Sequence, residues 1–200
     1  MSKAVMISIR PKWCEKIARG EKTVEVRKTS PKLEPPFKCY IYCTKAKERL
    51  IGILKENYGE IYHGKPVFIK LDEGSVCDMW GKRQKVIGEF TCDRIYELET
   101  RSPGGSYYVK GEDQTTTNDV ARQSCLTLKD MNEYLQSKVG YGWHISNLKI
   151  YDTPKELSKF SRPFENCIDK VCDEFGCALC ENGGHIKRAP QSWCYVEEQK

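Results

Sequence analysis

A chain of 200 residues, 39% hydrophobic and 30% charged, has enough material for one sizeable core and carries no disorder signature. No apolar run is long enough to span a bilayer. The opening apolar stretch is broken by Arg10 before it reaches the length of a secretion leader, so the expected location is the cytoplasm, with no membrane partner. The net charge of +5 hides an asymmetry: residues 1–55 hold 14 Lys and Arg against 5 Asp and Glu, or +9, and the remainder hold 19 against 23, or −4. A basic first quarter on a nearly neutral body points to a face that meets phosphates, although lysines spread over a solvated surface give the same count.

Taken in chain order, residues 4–9 (AVMISI) are short, apolar and β-branched and read as a buried strand. Pro11 then suits the first turn of a helix, where its missing N–H costs nothing. In PKWCEKIAR, Trp13, Cys14 and Ile17 share a face, and Gly20 closes the helix. Residues 23–28 (TVEVRK) alternate, with Val24 and Val26 on one face and Thr23, Glu25 and Arg27 on the other. A proline-rich connection (30–37) leads to a strand at 38–44. A hairpin is expected around HGKPVFIKL, and a loop holds CDMWGKRQ. KVIGEFTCDRIYEL (85–98) reads as the longest strand, with Gly88 as a bulge, and residues 101–119 as a long polar loop.

Further on, TLKDMNEYL (127–135) opens with a threonine cap and an acid three residues later. GYGWHISNLKIYD (140–152) is a glycine-flanked strand, TPKEL (153–157) has the grammar of a helix start, and SWCYVE (192–197) is a last strand that joins the same sheet. Many short strands, few helices and no βαβ rhythm predict an α+β domain around a small, strongly curved β-barrel with two to four helices. Residues 1–157 plus 190–197 would form this domain, and 158–189 a cysteine-rich insertion or extension.

Eleven cysteines without a leader are more in keeping with free thiols or metal ligands than with a disulfide framework. Those in CYIYC (39–43) and EFTC (89–92) sit within apolar alternation and read as small core residues. In the cysteine-rich stretch, the Cys177–Cys180 pair suits half of a tetrahedral zinc site, completed by Cys172 (or Cys167) and His185. The same segment fits an amphipathic helix with buried thiols, and both readings stay open.

SIRPKWCEKIARGEKTVEVRK resembles the opening of ASCH domains, a family similar in fold to PUA domains. The family motif is G-x-K-x-x-E-x-R, and Gly20, Lys22, Glu25 and Arg27 occupy its fixed positions. VIGEFTCDRIYEL and YGWHISNLKIYD are similar to bacterial and phage-borne members. The resemblance implies a PUA-like barrel with a cleft beside the motif that accepts RNA, a nucleotide or a nucleoside. Some small members hydrolyse acetylated cytidine with a Lys, a Thr and a Glu. Lys22 matches the first, Glu25 stands in place of the second, and no acid stands near Ser124, where the third is expected.

Chemically, Arg27 offers a planar fork for phosphate, and Lys22 is a mobile point charge. Glu25 either accepts from a base's amine or neutralises its neighbours as a structural ion pair. The ligand-binding set expected is Gly20, Lys22, Glu25 and Arg27, with Lys12 and the aromatics Trp80 and Trp143; Tyr107 and Tyr108 are further stackers. Trp143 begins an alternating strand and reads first as core, whereas Trp80 sits in a polar loop. His144 is a general base or a satisfied core histidine. Two functions follow. One is a binding module for RNA or a nucleotide, and the alternative is a hydrolase acting on RNA or a modified nucleoside through Lys22 and Glu25. Nothing in the sequence speaks to oligomeric state.

Overall fold

The computed structural model describes residues 2–45, 49–53, 67–71, 84–102, 105–111, 114–163 and 184–199. Among them are strands β1 (Lys3–Ile9), β2 (Val24–Arg27), β3 (Phe37–Cys43), β4 (Arg49–Ile53), β5 (Val67–Leu71), β6 (Lys85–Cys92), β7 (Ile95–Thr100), β8 (Tyr107–Val109), β9 (Gly140–His144), β10 (Ser146–Lys155) and β11 (Trp193–Glu197). The helices among the described residues are α1 (Pro11–Ala18), α2 (Thr117–Gln123) and α3 (Leu128–Leu135), with a 3-10 turn at Leu157–Lys159. The class is α+β, as expected. No helix among the described residues is long and apolar enough to cross a membrane.

The chain divides into two compact units. The first comprises Met1–Glu15, Lys38–Glu89 and Lys149–Lys200. It is built on a sheet ordered β10-β6-β3-β1-β11, in which β1 runs parallel to β3 and antiparallel to β11. The last strand therefore does join the sheet that the first begins. One face of this sheet buries Ala4, Met6, Tyr40, Tyr42, Val86 and Val196 with Tyr151, Phe160 and Ile186. Within the stretch expected to form a hairpin, VFIKL is β5 and pairs antiparallel with β4; the turn expected at HGKP lies outside the described residues.

The second unit comprises Lys16–Phe37 and Phe90–Leu148. Its sheet is ordered β2-β9-β7-β8, and one face packs Val24, Val26, Tyr96, Leu98 and Tyr107 against Val120 of α2 and Met131 and Leu135 of α3. The core reading of the thiols holds: Cys39, Cys43 and Cys92 are buried, and burial pushes the Cys92 thiol up to about 12.

Four sequence expectations change. The single strand at 85–98 is two, β6 in the five-stranded sheet and β7 in the four-stranded one, with a break at Asp93–Arg94. The strand at 140–152 likewise divides at Ile145 into β9 and β10. The helix start at Thr153 is instead the end of β10; a proline at 154 is tolerated there because β10 is the edge strand. The 101–119 loop also contains β8 and the start of α2.

Gly88 meets a steric demand. A Cβ built there would stand 2.5 Å from the Lys149 carbonyl oxygen and 3.1 Å from Ile150 Cα, both backbone atoms that cannot yield. Gly88→Ala is therefore expected to force β6 and β10 apart and to lower unfolding stability by about 1–3 kcal/mol. Urea denaturation would read this as a lower midpoint at unchanged slope.

Candidate functional site

The site grows from the end of α1. Gly20 adopts φ +76°, the left-handed conformation that ends a helix. The Glu21 and Lys22 N–H groups turn back to the Lys16 carbonyl at 2.9 and 3.1 Å. The chain then enters β2, where alternation sends Val24 and Val26 into the hydrophobic cluster and Glu25 and Arg27 to the opposite face. That second face is covered too, since all four residues of β2 are buried.

Lys22, Glu25 and Arg27 are only 3%, 7% and 8% exposed. Glu25 bridges the two cations: Lys22 Nζ lies 3.1 Å from its Oε2 and Arg27 Nη2 3.0 Å from its Oε1. Lys22 Nζ also donates to the Ser124 carbonyl at 2.7 Å. These three side chains carry a net charge of +1 out of solvent. Both Glu25 oxygens are occupied by cations, so its first role here is to hold Lys22 and Arg27 in place.

The partner segment is the end of α2. Thr116 caps the helix in a reciprocal box: its hydroxyl accepts from the Asp119 N–H, and the Asp119 carboxylate accepts from the Thr116 N–H. The same box, built from Thr127 and Asp130, opens α3 as the sequence predicts. At its far end α2 lies along the motif turn. Thr23 N–H donates to the Gln123 carbonyl at 2.9 Å, Lys22 to Ser124, and Cys125 Sγ to the Glu21 carbonyl at 3.4 Å. Three consecutive residues thus meet three consecutive residues. Ser124, the region where the family's acid is expected, contributes a backbone oxygen instead.

The other expected residues are distributed as follows. Trp143 sits opposite Glu25 in the β2–β9 register and is fully buried, its ring edge-on to Phe37 at 6.1 Å, which is a core position. Lys12 belongs to the first unit, where its ammonium lies 4.6 Å from the Trp13 ring centroid. Tyr107 is buried with its hydroxyl on the Lys138 carbonyl, and Tyr108 donates to Glu99. Trp80, Cys172, Cys177 and Cys180 lie outside the described residues. His185 is described, with Nδ1 3.2 Å from the Ser161 hydroxyl. Among the described residues no group of three or more His, Cys, Asp or Glu is placed to hold a metal ion.

His144 is neither enclosed nor in the cluster. Its register partner is Val24, so it belongs to the opposite sheet face from Glu25, and its Nδ1 is 2.6 Å from Asp93 Oδ1. Burial alone would raise the Asp93 carboxyl, but the hydrogen bond and charge of His144 outweigh it and leave the group below its ordinary value.

Sequence reasoning missed Tyr134 on α3. The residue is 40% exposed, Lys28 Nζ lies 5.1 Å from the ring centroid, and its hydroxyl feels both Arg27 and Glu25. Desolvation raises that hydroxyl, with Arg27 opposing and Glu25 assisting. The available signal was the helical phase of α3: Met131 and Leu135 face the core, which leaves Tyr134 at the margin of that face.

No family model matches the chain, and no curated protein matches it in sequence. Solved structures are similar in fold. The ASCH protein from Zymomonas mobilis superposes with a TM-score of 0.52 at 14% identity, over 98% of this chain and 88% of that one. A serine-to-alanine variant of the same protein gives 0.53 at 15%, over 98% and 89%. A tyrosine-to-phenylalanine variant gives 0.52 at 15%, over 98% and 92%. The chain therefore has the ASCH fold, as its resemblance implied.

Two measurements probe the site's architecture. Removing the charge that joins two buried cations, as in Glu25→Gln, is expected to cost about 3–5 kcal/mol. The exposed pair Lys16–Glu21, also at 3.0 Å, should contribute under about 1 kcal/mol when Glu21→Gln is made. Equal urea midpoints for the two variants would contradict the burial argument. The second concerns Asp119, which hydrogen bonds from the Thr116 hydroxyl and backbone, helped by Arg122, pull down to about 2. A depressed carboxylate stabilises above its unfolded value, about 4, and that contribution disappears as pH falls through about 2. The midpoint difference between wild type and Asp119→Asn should be full at pH 5 and vanish below pH 2.

Proposed function

We propose that the chain binds single-stranded RNA or a nucleotide through the Lys22–Glu25–Arg27 cluster, with phosphate as the group recognised there. The observation that carries this reading is a buried group in which two cations gather about one carboxylate. Taking charge out of water is costly, and a phosphate arriving at the cluster both offsets that cost and meets donors already oriented for it. Arg27 supplies planar donors, which suit phosphate oxygens better than a lysine in the same place. The basic first quarter of the chain adds a favourable field for a polyanion.

Tyr134 supports a nucleotide rather than inorganic phosphate. It is an exposed ring within electrostatic reach of Arg27, and single-strand recognition combines phosphate contacts with bases stacked on aromatic faces. The hydrolase alternative gains nothing comparable. A hydrolase would need Lys22 or Glu25 as a base, whereas Lys22 donates to Glu25 and Ser124 and Glu25 pairs with both cations.

Anisotropy of a fluorescein-labelled single-stranded RNA tests the reading. Affinity should fall as salt rises from about 50 to about 200 mM, with a log–log slope of about −0.7 for each phosphate contacted. Arg27→Ala should weaken binding at least about tenfold and flatten that slope, and Tyr134→Ala should weaken it by about 1–3 kcal/mol with the slope unchanged. Failure of the folded wild type to bind any RNA or nucleotide at low salt would remove the proposal.

A further inference from the structure

Gln123 closes α2, and among the described residues its buried side-chain Oε1 has no hydrogen-bond partner. Buried acceptors in folded proteins are nearly always satisfied, and one that is not works against folding. A methionine would fill the same space without that penalty, so the amide calls for a reason.

Its position supplies one. The Gln123 backbone carbonyl holds the Thr23 N–H, and the next carbonyl, that of Ser124, holds Lys22 Nζ. The residue is thus pinned against the turn that carries the charged cluster. Nucleotide recognition at this turn needs an acceptor for the base as well as cations for the phosphate. Glu25 is engaged first with its own strand and turn, because each of its oxygens faces a cation.

We infer that Gln123 is the base-reading residue of this site: its Oε1 accepts from the exocyclic amine of adenine or cytosine, and its Nε2 donates to the adjacent ring nitrogen. A glutamine amide matches that donor–acceptor pair in two parallel hydrogen bonds. Uracil presents a carbonyl oxygen where the other two bases present the amine, so with Oε1 turned inward as it is here uracil would meet it acceptor to acceptor and bind more weakly. The inference rests on the nucleotide-binding reading above and adds the class of base to it.

The test uses the full chain and three labelled single-stranded RNAs, each of one base: adenine, cytosine or uracil. Wild type should bind at least one of the amino-bearing RNAs about tenfold tighter than the uracil RNA. Gln123→Met should bring that RNA down to the affinity of the uracil RNA, leave uracil binding unchanged, and keep or raise the thermal midpoint. A residue that merely supports the fold cannot give that combination, since its loss would lower the midpoint and weaken all three RNAs together. That result would overturn the inference, as would a Gln123→Met protein that keeps the wild-type preference. Equal wild-type affinity for all three RNAs, lost on Arg27→Ala, would overturn the base-reading role and leave the phosphate reading standing. No binding to any of them would remove both.

Discussion

One carboxylate organises this region of the molecule. Glu25 stands between Lys22 and Arg27 at 3.1 and 3.0 Å, with all three side chains nearly removed from solvent. Away from water an unpaired ammonium or guanidinium is costly, so β2 can bury both of its faces only because Glu25 meets both cations at once. The hydrophobic face of the strand then packs Val24 and Val26 without competition from the charges behind them. Lys22 carries the arrangement outward, because it also donates to the Ser124 carbonyl at the end of α2.

That contact is one of three that lay residues 123–125 along residues 21–23. The capping box of Thr116 and Asp119 fixes where α2 begins, and therefore where its last residues lie against the turn. Helix start, helix end, turn and charged strand form a continuous chain of polar contacts. Its two ends differ in character: the cluster holds two cations about one carboxylate, and Gln123 holds a buried acceptor with no partner among the described residues. A polyanion whose bases carry amines addresses both, which is why the phosphate and base readings converge on one short stretch of structure.

Much of the secondary structure was legible from local pattern. The Pro11 start and Gly20 stop of α1, the alternation of β2, the threonine box of α3 and the alternation of β11 all depend on neighbours a few residues apart. The misreadings have a common cause. Residues 85–98 and 140–152 keep an apolar–polar alternation straight through Asp93–Arg94 and Ile145, because the strands on either side are each partly buried. Nothing local reveals that the two halves belong to different sheets. Pro154 suggested a helix start because only the sheet order shows β10 to be an edge strand that accepts a proline. The Thr116–Asp119 box, by contrast, was readable by the rule that located α3, and was hidden inside a stretch whose polarity suggested a loop.

By itself, the sequence determined the class of the fold, the motif Gly20, Lys22, Glu25 and Arg27, and the sharing of a strand face by Glu25 and Arg27, since a period of two is a local property of extended backbone. Whether that face met solvent or protein was decided only by tertiary structure, because burial depends on what packs opposite. The structure enclosed the face and turned separate charges into a bridged cluster. It also drew in residues a hundred positions away in sequence: Gln123 and Ser124 along the turn, and Tyr134 within the field of Arg27. No spacing rule connects residue 22 to residue 124, and only the folding of α2 against the turn after α1 brings them to 2.7 Å.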